Sequence, residues 1–375
     1  MMKKGALLMI GFWFVASLIF SQETFSEILS NPDKRVLVAA HRGDWKNFPE
    51  NSIPGVQSCI DQGIDIVEVD VQETKDGKFV LMHDPTVNRT TNRKGKVSDY
   101  LFSEITQMRL KDRFGDLTEY RVPSLDTILK ICKGKIIVNI DKSGGRFQKL
   151  FPVIDSLDCD RYVIMKDNAV LSTFSNLNNP TESYCMPILS SNRMDVDSFI
   201  LQIRPPLVEF ILKSDTSRYV SEEWLQFYKN NNCRLWYNAL FKGIAGGHVE
   251  DKNTIASWEW FIQHGAYIIQ TDNPFHLMTY LVNNGYHSKP THYSPRILDN
   301  PPFNEGKRVN QPLKEDKIPA KDTQSKSKKY YKVVKGDNLQ VIAKKHHLEM
   351  DELLKLNSGL KKNKKIVPGQ KIRIK

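Results

Sequence analysis

Eight short runs rich in apolar and β-branched residues constrain this chain more than any other feature. They lie at 36–40, 64–71, 135–141, 161–165, 184–189, 207–212, 234–238 and 267–271. Polar or amphipathic stretches of helix length separate most of them, which reads as strands alternating with helices. Eight such units in about 250 residues predict an α/β chain closed into a (β/α)8 barrel. An open doubly wound sheet is the competing arrangement, but the glycine-rich phosphate turn that marks such sheets is absent.

A ninth run, 79–83, does not fit the alternation. It follows Val71 too closely for a crossover helix, because a parallel return needs a dozen or more residues. The turn Lys75-Asp76-Gly77-Lys78, read as a two-residue hairpin, sets Asp70 opposite His83. Strand parity puts Glu68 on the face of Asp70. His41 ends the first strand, Asp141 ends the third, and Asp272 follows the last. Barrels of this kind carry their chemistry at the C-terminal strand ends, so these groups are expected at one mouth. Asp272, followed by Asn273-Pro274, has an equal claim to be a helix cap or turn residue.

The N-terminus reads as an export signal over 1–21. Lys3 and Lys4 precede an apolar run, and Ser21 and Gln22 follow it. The run is short for a spanning helix, so no integral membrane segment is expected after cleavage, and the mature chain is expected to be secreted, periplasmic or envelope-associated. The five cysteines are widely spaced with no CxxC pair. They read as buried apolar residues rather than a disulfide scaffold or zinc site, with one bridge left open.

Charge divides the chain. The net charge is +11, yet residues 305–375 hold 20 basic against 8 acidic groups and the remainder 34 against 35. Nucleic-acid binding by the large domain gains no support from this balance. Residues 22–287 are expected to form the barrel domain. Residues 288–329 lose apolar periodicity and read as a flexible basic linker. Order resumes at 330–375 as a βααβ unit: a strand at Val333-Val334, a helix carrying Leu339, Ile342 and Ala343, a second helix at 350–357, and a strand at 371–374.

This last unit resembles the LysM module through Tyr331, Val333, Val334, Gly336, Asp337, Leu339, Ile342 and Ala343 at its opening and Asn357 and Pro368-Gly369-Gln370 at its end. The resemblance implies binding to the glycan of peptidoglycan.

The large domain resembles the glycerophosphodiester phosphodiesterase family. The likeness rests on His41-Arg42-Gly43, Pro49-Glu50-Asn51, Glu68-Val69-Asp70, Lys75-Asp76-Gly77 and His83-Asp84, with weaker matches at 236–238 and 271–274. It implies a TIM barrel with an insertion at about 85–121, and metal-dependent hydrolysis of a glycerophosphodiester to glycerol 3-phosphate and an alcohol. The residues fit that chemistry. Glu68, Asp70 and Asp141, with Glu50 as a candidate fourth, form an oxygen-only ligand set for one divalent cation, Ca²⁺ or Mg²⁺. Arg42 and Lys142 are candidate phosphate contacts. His41 and His83 are the proton-transfer pair, with their acid and base roles undecided. Asn51, Trp236 and Asp272 complete the expected pocket. Two departures stand out: Asp141 replaces the usual Glu, and Lys142 follows directly rather than two residues on, which by strand parity turns it away from Asp141 unless the strand bends there. Action on another phosphodiester, such as an inositol or teichoic-acid-like head group, and a non-catalytic glycan-binding role are the alternatives.

Overall fold

The β-branched runs do form strands. In the computed structural model they are β1 (Leu37–Ala40), β2 (Ile66–Glu73), β3 (Phe79–Leu81), β6 (Ile137–Asp141), β7 (Val163–Asn168), β8 (Tyr184–Ser190), β9 (Leu207–Ile211), β10 (Arg234–Asn238) and β11 (Ala266–Thr271), while β4 (Arg109–Lys111) and β5 (Leu117–Arg121) are two further strands that the runs did not mark. The structure describes residues 24–30, 35–178, 183–190, 195–212, 215–240 and 254–288. Towards the C-terminus it describes 330–334, 337–346, 348, 350–357, 366 and 370–374. The expected signal segment and residues 289–329 of the expected linker lie outside these.

Eight strands run parallel in the order β1, β2, β6, β7, β8, β9, β10, β11, and β1 pairs with both β2 and β11. The sheet therefore closes into the expected barrel, which leaves no free edge among these eight. Alternation along each strand sorts two cores. Val67, Val69 and Val71 of β2, Val138 and Ile140 of β6, and Val208 and Phe210 of β9 face the surrounding helices. Ile66, Ile137, Ile164, Met186, Leu207, Trp236 and Ile268 face the barrel axis. Two residues further along the same inward faces the side chains become polar: Glu68, Asn139, Lys166, Glu209, Asn238 and Gln270. The barrel is thus filled with hydrocarbon at its N-terminal end and with charge towards its C-terminal mouth.

A short helix, Phe25–Ser30, closes the apolar end. Phe25 and Ile28 are buried in the inner cluster, and the Ile28 carbonyl accepts from Tyr267 Oη at 2.6 Å. Fully burying side chains of this size contributes about 1.5–3 kcal/mol each.

β3 pairs antiparallel with β2, but one residue out of the expected register. Val71 faces Leu81, and the Asp70 carbonyl accepts from the Met82 amide at 3.0 Å. Asp70 therefore does not oppose His83. The turn is a three-residue loop: Thr74 and Lys78 close it, and Gly77 at φ +74° takes a conformation that favours glycine. The expected insertion packs Val87, Val97, Ile105, Met108 and Leu110 against Val80, Met82 and Val122 in one apolar cluster, and it carries the β4–β5 hairpin.

The C-terminal unit is βααβ, as expected. β12 (Tyr330–Lys332) pairs antiparallel with β13 (Lys371–Arg373) around helices Leu339–Lys345 and Met350–Leu356. The first strand ends just before Val333-Val334 rather than at it; the Val333 amide turns to the Gln370 carbonyl, and Asp337 accepts from the Val334 amide at 2.9 Å. Val333, Leu339, Ile342, Ala343, Leu353 and Ile372 form its core. The Asn357 side chain both donates to and accepts from the Arg373 backbone, at 2.7 Å each way.

Candidate active site

The register of the parallel strands assembles the acidic centre. Glu68 pairs with Asn139 and Asp70 with Asp141 between β2 and β6. Among the described residues, one oxygen each from Glu68, Asp70 and Asp141 lies within 4.8 Å of the other two. Glu68 and Asp70 are buried, and Glu68 Oε1 and Asp70 Oδ1 have no hydrogen-bond partner. Buried carboxylate oxygens without donors are costly unless a cation meets them, so this set fits an oxygen-ligated divalent ion. Burial first, and the neighbouring Asp70 charge second, push the Glu68 carboxyl well above its ordinary range.

Three residues around this centre hold left-handed backbone: Arg42 at φ +55°, Asn51 at +56° and Lys142 at +60°. Such conformations are uncommon outside glycine and cluster where a site dictates them. Arg42 turns so that its amide donates to Glu68 Oε2 at 2.8 Å, and Gly43 follows at φ +72°, where a Cβ would meet the Gly55 backbone at 3.1 Å. Asn51 braces Asp70 twice: its amide side chain donates to Asp70 Oδ2 and accepts from the Asp70 backbone, both at 2.9 Å. Lys142 bends the chain immediately after β6. Its amide caps Asp141 Oδ1 at 2.6 Å and its Nζ comes to 4.0 Å from Asp141 Oδ2, so the chain takes the bend under which strand parity no longer turns Lys142 away.

His41 Nδ1 lies 2.7 Å from Asp272 Oδ1, which also accepts from Trp45 Nε1 at 2.8 Å. Burial pushes Asp272 up, but the bond and charge of His41 outweigh it and hold it below the usual carboxylate range. An ionised Asp272 only accepts, so His41 carries its proton on Nδ1 and Nε2 is left for chemistry. Asp272 is not the cap of the helix Pro274–Asn283; Asn273 holds the N-cap position.

His83 has a matching partner: its Nδ1 lies 2.7 Å from Asp84 Oδ1. Arg89, from the insertion, donates to Asp84 at 2.8 and 3.0 Å and to both Glu50 oxygens at 2.6 and 2.8 Å. Those bonds hold Asp84 down at about 2. Glu50, expected as a fourth ligand, is instead an ion-pair partner. Arg42 reaches it only at 3.3–3.4 Å, and its carboxyl oxygens are not among those that converge. The Arg42 guanidinium thus has only long contacts, to Glu50 and, through Nε at 3.4 Å, to Asp70 Oδ2.

Trp236, expected in the pocket, is fully buried in the inner core, with Nε1 bonded to Asn238 Oδ1 at 3.0 Å. Sequence reasoning missed Lys166 and Glu209. Lys166 is 2% exposed, with Nζ 2.9 Å from Glu209 Oε2 and 3.6 Å from Asp141 Oδ2. Burial pulls the Lys166 ammonium down, but Asp141 and Glu209 override it and hold it protonated. Asp141 in turn is pushed up by burial and pulled further down by Lys166 and Lys142, ending below its ordinary value. Glu209 was legible: a carboxylate in the middle of an apolar run, in phase with inward Leu207. All five cysteines are buried and unbridged.

Residues 41–154 match the model of the Glycerophosphoryl diester phosphodiesterase family, and 331–375 match that of the LysM domain. Over that first stretch the barrel is similar to the glycerophosphoryl diester phosphodiesterase family. Residues 185–281 match a domain of unknown function. A glycerophosphodiester phosphodiesterase of Caldanaerobacter subterraneus subsp. tengcongensis is 40% identical over 139 residues, covering 35% of this chain and 57% of that protein. Its namesake in Bacillus altitudinis is 36% identical over 142 residues, covering 36% and 57%. The chain thus spans little more than half the length of these relatives. A crystal structure of a glycerophosphoryl diester phosphodiesterase from Parabacteroides distasonis superposes with a TM-score of 0.59 at 22% identity, over 72% of this chain and 96% of that one. That likeness concerns the fold.

Proposed function

We propose that the barrel hydrolyses glycerophosphodiesters to glycerol 3-phosphate and an alcohol with one divalent cation, and that the exported chain is tethered to peptidoglycan by its LysM unit. The observation that carries the catalytic reading is the convergence of Glu68, Asp70 and Asp141 with two orphaned carboxylate oxygens, beside the His41–Asp272 pair. The matches to glycerophosphodiester phosphodiesterases support the choice of substrate class.

Bound by those three carboxylates, Ca²⁺ or Mg²⁺ would supply positive charge to neutralise a phosphodiester and the charge that builds on it. Arg42, loosely held by Glu50, takes phosphate oxygens and fixes their orientation. Lys142, at the end of β6, adds a second cation at the rim. His41 and His83 each have Nδ1 engaged by a carboxylate and Nε2 free. One takes a proton from the attacking water as its oxygen bonds to phosphorus, while the other protonates the departing alcohol oxygen as its bond to phosphorus breaks.

Export rests on the apolar run that follows Lys3 and Lys4, and tethering on the LysM match together with the basic excess after residue 305. No helix among the described residues is long and apolar enough to cross a membrane.

The test is an assay of the purified chain on glycerophosphocholine, glycerophosphoinositol and a polyglycerol-phosphate polymer. Release of glycerol 3-phosphate from the small diesters supports the reading; hydrolysis of the polymer alone replaces the substrate class, and no release from any of the three removes the activity. Sedimentation with peptidoglycan, compared with a chain lacking 331–375, tests the tether: equal sedimentation of the two would exclude it.

A further inference from the structure

The barrel interior holds a cation that the proposed reaction does not use. Lys166 stands one position beyond the last paired residues of β6 and β7, Ile140 and Met165, and so beside Asp141. Its Nζ lies 2.9 Å from Glu209 Oε2 and 3.6 Å from Asp141 Oδ2. Glu209 is fixed from its other oxygen by Asn238 Nδ2 at 2.8 Å, and Asn238 by Trp236 Nε1 at 3.0 Å. The ammonium is therefore locked between two carboxylates, one of which belongs to the acidic centre.

The acidic groups in this space outnumber the basic ones. Glu68, Asp70, Asp141 and Glu209 are the carboxylates, and Lys166 and Arg42 are the cations set among them. Of the neighbouring carboxylates, Asp272 pairs with His41, and Glu50 shares Arg89 with Asp84 and lies 3.3 Å from Arg42. Lys142, 39% exposed, sits at the rim. By formal charge these six groups carry two more negative than positive charges, which is the charge of one divalent ion. Without Lys166, Asp141 and Glu209 would form the two walls of a second cation position.

We propose that Lys166 is a positioning residue that takes the place of a second metal ion: it fixes Asp141 and holds the centre to a single divalent cation. The proposal rests on Glu68, Asp70 and Asp141 being a cation site.

Its test uses the full chain with Lys166→Met, Glu209→Gln and the double variant. Calorimetry reads Ca²⁺ stoichiometry and affinity, Tb³⁺ luminescence reads the trivalent ion, and circular dichroism verifies folding. Wild type is expected to bind one Ca²⁺. Lys166→Met is expected to bind a second Ca²⁺, or to raise the Tb³⁺-to-Ca²⁺ affinity ratio about tenfold or more, because one extra negative charge favours the ion of higher charge. Glu209→Gln, which removes a negative charge outside the ligand set, is expected to weaken Ca²⁺ binding about tenfold, and the double variant to return to wild-type stoichiometry and ratio. A folded Lys166→Met with one Ca²⁺ and an unchanged ratio overturns the proposal. Should that variant not fold, unaltered Ca²⁺ affinity in Glu209→Gln overturns it. Wild type that binds neither Ca²⁺ nor Tb³⁺ overturns the cation site and this proposal together; wild type that binds one Ca²⁺ while the variants do not respond overturns this proposal alone.

Discussion

His41 and Asp272 are 231 residues apart in sequence, yet His41 Nδ1 and Asp272 Oδ1 lie 2.7 Å apart. The pair forms because β1 and β11 are the strands that close the barrel, with Ala40 opposite Thr271. Barrel closure and orientation of the imidazole are thus one structural event. Asp272→Asn keeps the shape but can present its amide to Nδ1, which favours the wrong tautomer. Turnover is expected to fall about 10²–10⁴-fold with folding retained. A pH–rate profile checks this: the maximum should fall. A normal profile at normal rate would remove His41 from proton transfer.

Arg89 governs how tightly Arg42 is held. Its short bonds to both Glu50 oxygens leave only long ones for Arg42. In Arg89→Ala, Glu50 is free to draw Arg42 away from phosphate. KM should rise about tenfold, with partial rescue by Arg89→Lys. A lower turnover at constant KM would place the role of Arg89 at His83, through Asp84, instead.

Away from the site, His287 and Asp65 form a buried pair with Nε2 3.0 Å from Oδ1, and Asp65 Oδ2 accepts from the Val38 amide at 2.8 Å. Burial lowers the His287 pKa, but Asp65 outweighs it, and the net shift is upward from 6.5. The folded state therefore binds the proton more tightly than the unfolded chain. This stabilisation is fully present below pH 6.5 and is lost as pH rises through the raised value. The Tm gap between wild type and His287→Gln should be widest in mild acid and narrow above neutrality. A gap independent of pH would show that the pair contributes by packing alone.

Phe25 and Ile28 seal the apolar end of the barrel, with the Phe25 ring 5.4 Å from that of Tyr184. Phe25→Ala should cost about 3 kcal/mol of stability in denaturant unfolding and leave KM unchanged, because the site lies at the opposite end. A loss below about 0.5 kcal/mol would mean that the helix merely lies on the surface.

The eight strands were legible because β-branched runs must be buried in extended form wherever polar, helix-length segments separate them. The polar groups were legible for the same reason: His41 and Asp141 interrupt hydrocarbon where a strand ends, and Asp70 interrupts it late within β2. The Asp70–His83 pairing failed because Gly77 closes a three-residue loop, and one residue of slip moves every partner in the hairpin. Glu50 was misread because its partner Arg89 comes from the insertion, whose docking the sequence pattern does not reveal. Lys166 and Glu209 acquire meaning only when β7 and β9 turn the same face to one axis. Parity with Ile164 and Leu207 held that information, and burial of two opposite charges was the signal to seek.

Glycerol 3-phosphate release after chelation tests the central claim most directly. The full chain, stripped with a chelator and assayed on a small glycerophosphodiester, should be inactive and should recover when Ca²⁺ or Mg²⁺ is restored, with Asp70→Asn requiring far more metal for the same rate. Undiminished release from the stripped protein, or an unchanged metal requirement in Asp70→Asn, would contradict the account.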